Sequence, residues 1–302
     1  MNALIGLFKT MRPKQWTKNA IVFAGLVFDG QLFHPDPFLR VLICFFLFCF
    51  LSGAVYVIND LVDIERDRAH PTKRNRPLPS GKLPVPFAIG GAVVILVLVF
   101  VIALVMRWQF AVVLATYLVL QLLYSFVLKH IVILDVLALT GGFVLRVAAG
   151  VVVIQVAEFS PWLYACTALL SLFLSIGKRR QELLLMAERS GNTRVTLEQY
   201  NLPLLDDMLR MVMTGTLIAY LLYTIEVPSV LLAGTKLAIT TVPFVLYGMF
   251  RYLYLIHVKG EGSAPDEVLL KDRPLQIAIA LWGLAFVLIL YVAPGLMSTP
   301  PL

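Results

Sequence analysis

Apolar residues run along this chain in long unbroken stretches. Nine are long enough to cross roughly 30 Å of hydrocarbon, at about residues 18–33, 40–58, 84–106, 110–128, 131–154, 161–177, 210–227, 236–257 and 274–294. The first is interrupted by Gly25, Asp29 and Gly30 and is read as partly interfacial. The pattern predicts an all-α, polytopic membrane helical bundle of about nine transmembrane helices, formed by residues 1–302 as a single integral membrane domain. The opening residues are too polar, and lack the cleavage site, for a signal peptide, so the first span is expected to begin the mature protein. Long polar stretches occur only at about 59–83, 178–209 and 258–273, and chemistry is expected there.

Composition agrees. Hydrophobic residues make up 60% of the 302 and charged residues 14%, far from the balance of a water-soluble domain. Charge then orients the chain. With the N-terminus in the cytoplasm, twenty Lys and Arg fall on the inside and only Arg40, Arg107 and Lys236 on the outside. This positive-inside bias predicts a multi-pass membrane protein with the three polar loops facing the cytoplasm. It also accounts for the net charge of +7 without any nucleic-acid partner. Cys44, Cys49 and Cys166 lack metal-site spacing and read as small buried hydrophobes. The four histidines form no ligand cluster.

The loop after the second span carries the candidate chemistry. In Tyr56-Val-Ile-Asn-Asp-Leu-Val-Asp-Ile-Glu-Arg-Asp-Arg68, a helix continuing out of the membrane would put Asp60, Asp63 and Asp67 on one face, with Asn59 at its edge. Converging carboxylates repel one another unless a cation lies between them. Hard oxygen donors of this kind suit Mg²⁺, which binds one or two carboxylates together with substrate phosphates. Behind them Lys73-Arg74-Asn75-Arg76-Pro77-Leu78-Pro79-Ser80-Gly81-Lys82 supplies guanidinium groups able to grip phosphate in bidentate fashion. A Mg²⁺-bound diphosphate is the guest this pattern predicts.

Asn59-Asp60-x-x-Asp63-x-x-x-Asp67, followed by Arg74-x-Arg76-Pro77-x-x-x-Gly81, resembles the first Asp-rich motif of the UbiA superfamily of intramembrane prenyltransferases. That resemblance implies nine transmembrane helices and a Mg²⁺-diphosphate site at the cytoplasmic mouth of the bundle. Typical members carry a second Asp-rich motif after the sixth span, where this chain reads Gly177-Lys178-Arg179-Arg180-Gln181-Glu182-Leu183. With Arg12-Pro-Lys-Gln-Trp-Thr-Lys-Asn19, Tyr124-Ser-Phe-x-Leu-Lys129, Gly142-Phe-x-x-Arg146-x-x-x-Gly150 and Asp266-Glu-Val-Leu-Leu-x-Asp-Arg-Pro274, the chain looks like the decaprenyl-phosphate phosphoribosyltransferase branch. The resemblance implies a glycosyltransferase that moves 5-phosphoribose from 5-phosphoribosyl 1-pyrophosphate to a polyprenyl phosphate, for lipid-linked pentose synthesis in cell-wall assembly. The alternative is a UbiA-type transfer of a prenyl group to an aromatic acceptor, for which the second acidic motif is the missing feature.

On this reading Asp60, Asp63 and Asp67 hold the metal and Asn59 orients the diphosphate. Lys14, Lys18, Lys129 or the Lys178, Arg179, Arg180 run meet the lipid phosphate, and Arg74, Arg76 or that same run meet the ribose 5-phosphate. Arg146 lies inside a span, where a charge is costly. It either pairs with another helix or contacts the lipid phosphate or the ribose. Asp135 reads as a helix-terminus charge, and Asp266, Glu267 and Asp272 either cap the last span or close over substrate. Membrane lipids are the surrounding partner, and an oligomer is compatible with the reading.

Overall fold

The computed structural model describes residues 3–71, 73–156, 160–188, 199–226, 236–260, 268 and 271–293. Every regular element among these residues is helical. The chain opens with α1 (Ala3–Thr10), a 3-10 helix over Pro13–Phe23 and the short α2 (Ala24–Phe28). There follow α3 (Pro35–Val62), α4 (Ile64–Arg68), α5 (Val85–Met106), α6 (Trp108–Phe126) and α7 (Leu134–Ile154). Then come α8 (Pro161–Glu188), α9 (Leu202–Glu226), α10 (Val242–His257) and α11 (Arg273–Val287), which a π-helical turn over Leu288–Val292 extends.

Eight of the described helices are long and apolar enough to cross a membrane, and they correspond to the second through ninth predicted spans. The first predicted span takes another form. Pro13 starts a 3-10 helix of 11 residues, five residues of α-helix follow, and the chain turns at Asp29 and Gly30. A 3-10 helix rises about 2.0 Å per residue against about 1.5 Å for an α-helix, so this short segment still covers roughly 30 Å.

Prolines set several helix starts, since the first turn has no use for their missing N–H: Pro35 for α3, Pro86 for α5, Pro161 for α8 and Pro274 for α11. At α11 the cap is explicit. Asp272 accepts from Leu275 N at 2.8 Å while Arg251 donates to both carboxylate oxygens at 3.1 and 2.7 Å. The Arg251 hydrogen bond holds the Asp272 carboxyl below its usual range. Of the two roles open to Asp272 from sequence, the structure gives it the helix cap. Asp266 and Glu267 lie outside the described residues.

Contacts divide the chain into two units: Met1–Phe126 with Leu145–Ala157, and Val127–Val144 with Glu158–Leu302. In lipid, burying apolar surface drives helix association little, so close packing and interhelical hydrogen bonds carry more of the load. In the first unit, Val22, Leu26, Phe48, Phe110, Leu114 and Ala149 build the core. Gly150 makes the closest backbone approach within it: a Cβ there would stand 2.0 Å from the carbonyl oxygen of Val22. Arg107 closes the end of α7 by donating to Val152 O at 2.8 Å, a cation where the helix dipole favours one.

The second unit is tied by buried charge. Arg179, 4% exposed, donates from Nε to Asp135 Oδ2 at 2.7 Å and from Nη1 to Glu182 Oε2 at 2.6 Å. Tyr200 donates to Asp135 Oδ1 at 2.8 Å and accepts from Ile133 N at 2.8 Å, and desolvation raises its phenol to about 12. Arg180 Nε lies 2.6 Å from Asp206 Oδ1, which His257 Nε2 also reaches at 3.2 Å. All three cations of the run expected to grip phosphate thus have carboxylate partners, Arg179 and Arg180 closely and Lys178, 43% exposed, at 3.9 Å from Glu182.

Two stability outcomes follow. Gly150→Ala forces apart α7 and the 3-10 helix and is expected to cost about 1–3 kcal/mol, read as a lowered Tm in detergent. Gly90→Ala, where a Cβ meets nothing within 4 Å, leaves Tm unchanged, and equal melting of the two variants would refute the close-approach role. Arg179→Gln strands the buried Asp135 carboxylate at a cost of about 3–5 kcal/mol. The same change at Lys178 should be silent, so an Arg179→Gln protein melting like wild type would show that Arg179 is not structural.

Candidate active site

The last turns of α3 deliver Tyr56, Asn59 and Asp60 to the end of the span. The helix does not run on as the sequence predicts. Asp63 leaves it with φ −90° and ψ 8°, and α4 restarts at Ile64. Because of this break the three acids are not equivalent. Asp60 and Asp67 are 3% and 2% exposed, whereas Asp63 and Asn59 are half-buried.

One guanidinium joins the two buried acids. Arg76 Nη1 donates to Asp67 Oδ2 at 2.7 Å and to Asp60 Oδ1 at 3.3 Å. Arg12 Nη2 donates to the same Asp60 oxygen at 2.7 Å, and Lys73 Nζ stands 3.7 Å from Asp67 Oδ1. Arg76 is set by the turn that follows it, in which Ser80 N donates to Arg76 O at 3.0 Å and Leu83 N to Pro77 O at 2.9 Å. Arg12 sits in the left-handed region (φ 55°, ψ 64°) ahead of the 3-10 helix, with its guanidinium 4.5 Å above the ring centre of Tyr56.

Among the described residues no three potential ligands gather closely enough to bind an ion by protein donors alone. The donor set nonetheless fits a hard dication. Two carboxylates share one Arg76 nitrogen, and Mg²⁺ characteristically takes one or two carboxylates and completes its shell with water and phosphate oxygens. Asp60 and Asp67 are the residues placed to hold it, with Asp63 and Asn59 adjacent in the chain.

Deeper in the first unit, Arg146 Nε donates to Asn19 Oδ1 at 2.8 Å and Nη2 to the Tyr117 hydroxyl at 2.6 Å. Its guanidinium also lies 4.8 Å from the ring centre of Tyr117 and 5.9 Å from that of Phe48. Asn19 in turn donates to Cys49 Sγ and Ser52 Oγ, both at 3.4 Å. Arg146 therefore joins α7 to α6 and, through Asn19, to the 3-10 helix and α3. These neutral oxygens and ring faces stand where the sequence left a choice between an ion pair and a ligand contact.

The remaining predicted residues are dispersed. In the first unit Lys14 and Arg74 are exposed and Lys18 is half-buried on the 3-10 helix. In the second, Lys129 is half-buried on the turn Leu128–His130 and Lys178 lies on α8 beside the paired Arg179 and Arg180. Arg12 and Tyr117 were not singled out as site residues from sequence. Arg12 had a signal, a cation immediately before a polar-rich span; Tyr117 is one aromatic among many in an apolar helix.

Residues 20–271 match the model of the UbiA prenyltransferase family. The chain is 36% identical over 298 residues to a decaprenyl-phosphate phosphoribosyltransferase of Corynebacterium glutamicum, covering 97% of this chain and 89% of that one. It is 35% identical to the protein of the same name in Mycolicibacterium smegmatis, covering 93% and 91%. In fold it is similar to a UbiA homolog from Archaeoglobus fulgidus solved with GPP and Mg²⁺, with TM-score 0.65, 19% identity and coverage of 95% and 100%. The motif around Asp60, the eight long apolar helices and these matches agree: the chain belongs to the UbiA prenyltransferase family and is a membrane-embedded transferase.

Proposed function

We propose that this transferase moves 5-phosphoribose from 5-phosphoribosyl 1-pyrophosphate to a polyprenyl phosphate such as decaprenyl phosphate, in lipid-linked pentose synthesis for the cell wall. The observation that carries the reading is the pair Asp60 and Asp67 gathered on one cationic nitrogen at the end of a span. Relatives named for this reaction, similar along nearly the whole chain, support it. So does the basic Lys178-Arg179-Arg180 run standing where typical family members carry their second acidic motif.

In this mechanism Asp60 and Asp67, with Asp63 and Asn59 beside them, would hold a divalent ion against the diphosphate of the donor. Bound Mg²⁺ would supply neutralisation of the charge that grows on the leaving pyrophosphate. The C1–O bond to pyrophosphate breaks with its electron pair going to the leaving group. An oxygen of the lipid phosphate forms the new bond to C1. A phosphate monoester has its second pKa at about 6, so the acceptor is ionised near neutral pH and no side chain need take a proton from it. Lys14, Lys18, Arg74 and Arg76, all in the first unit with the acids, are the cations we assign to phosphate contacts. Arg179 and Arg180 shape their unit through Asp135, Glu182 and Asp206.

The rim carrying Asp60 is assigned to the cytoplasmic side of the bacterial inner membrane, where a soluble sugar phosphate is available. A single experiment addresses substrate and side together. Inverted membrane vesicles containing the protein, given external 5-phosphoribosyl 1-pyrophosphate, Mg²⁺ and decaprenyl phosphate, should release pyrophosphate and form a phosphoribosylated lipid. Right-side-out vesicles should not. Activity only in right-side-out vesicles would reverse the orientation. Turnover only with a prenyl diphosphate and an aromatic acceptor would replace the proposed reaction with ordinary prenyl transfer.

A further inference from the structure

The counter-ions of Asp60 and Asp67 govern how a divalent ion can enter. A Mg²⁺ ion held by these two acids needs carboxylate oxygens at about 2.0–2.1 Å. Asp60 Oδ1 already receives Arg12 Nη2 at 2.7 Å and Arg76 Nη1 at 3.3 Å, and the same Arg76 nitrogen is 2.7 Å from Asp67 Oδ2. An ion bridging the acids therefore takes the place of Arg76 Nη1. The displaced groups remain close, because Arg76 is anchored through its own carbonyl to Ser80 N and Arg12 stacks on Tyr56. Both arginines are about one-third exposed, at 34% and 33%, while the acids they reach are 4% exposed or less. The arginines thus keep accessible surface beside the buried acids they cover.

Charge balance fixes the consequence. The two buried carboxylates already hold three cations, Arg12, Arg76 and Lys73. A bare dication must compete with these cations and displace a charge-assisted hydrogen bond. A metal–diphosphate complex, which carries net negative charge, offers phosphate oxygens to the displaced guanidinium groups.

Resting on the metal–diphosphate reading above, we propose that Arg12 and Arg76 are exchange cations. They neutralise Asp60 and Asp67 in one arrangement and grip the diphosphate in the other, so that metal and diphosphate bind as a pair and the bare ion binds poorly. Arg12 becomes a diphosphate-binding residue, and the acids and arginines act as one unit.

Equilibrium binding to the purified full-length protein in detergent tests this without turnover. The probes are Mn²⁺ alone and the Mn²⁺–methylenediphosphonate complex, with Asp60→Asn used to identify binding at this site. Wild type should bind the complex at least about tenfold more tightly than the bare ion, the scale of one charge-assisted hydrogen bond. Arg76→Gln should shift the two affinities in opposite directions, tighter for Mn²⁺ alone and weaker for the complex. Arg12→Gln should do the same to a smaller degree, and it provides the reading if the Arg76 variant does not fold. If either folded variant moves both affinities the same way, or neither, the exchange is refuted while the metal–diphosphate site stands. If wild type binds neither probe in an Asp60-dependent manner, that underlying reading fails as well.

Discussion

Two carboxylates buried at the end of a membrane span cannot stand side by side without a cation, and the arrangement around Asp60 follows from that requirement. Arg76 meets it by reaching both acids with one nitrogen, Asp60 from the end of α3 and Asp67 from α4. Arg12 adds a second guanidinium to the same Asp60 oxygen, which ties the left-handed residue ahead of the 3-10 helix to the end of α3. The same electrostatic need makes the pair suitable for a divalent ion, because whatever holds two ionised acids together must be positive.

Within each unit, the bilayer changes which contacts matter. The first unit is held by a backbone approach at Gly150, by Arg107 on the last carbonyls of α7, and by Arg146 bound to Asn19 and Tyr117. The second relies on Arg179 locked between Asp135 and Glu182, with Tyr200 on the opposite oxygen of Asp135. Polar groups satisfied within the protein do here what the hydrophobic effect does in water.

The long helices were legible because length and apolarity alone define a crossing, and the second through ninth predicted spans correspond to the described long helices. The first, read as interrupted and partly interfacial, takes a form that hydropathy does not specify, since nothing in hydropathy distinguishes an α-helix from the steeper 3-10 form that Pro13–Phe23 adopts. At the site, the spacing of Asp60, Asp63 and Asp67 implied converging carboxylates, and two of them, Asp60 and Asp67, meet on Arg76. The spacing could not announce the break at Asp63, which depends on where α3 ends, nor Arg12, which is 48 residues from its partner. The Lys178–Arg180 run shows the limit of local charge reading. Three adjacent cations look like a phosphate clamp until Asp135, 44 residues away in sequence, is found bound to Arg179.

The central claim is that Asp60 and Asp67 act together through one shared cation site. A double-mutant cycle on kcat/KM for pyrophosphate release tests it directly, using Asp60→Asn, Asp67→Asn and the combined protein at saturating Mg²⁺. If the acids form one unit, each single change should lower kcat/KM by about a hundredfold or more, and the double change should cost little beyond either, as for groups that function only as a set. Independent, multiplicative losses, or single variants with near-normal activity, would contradict a shared site.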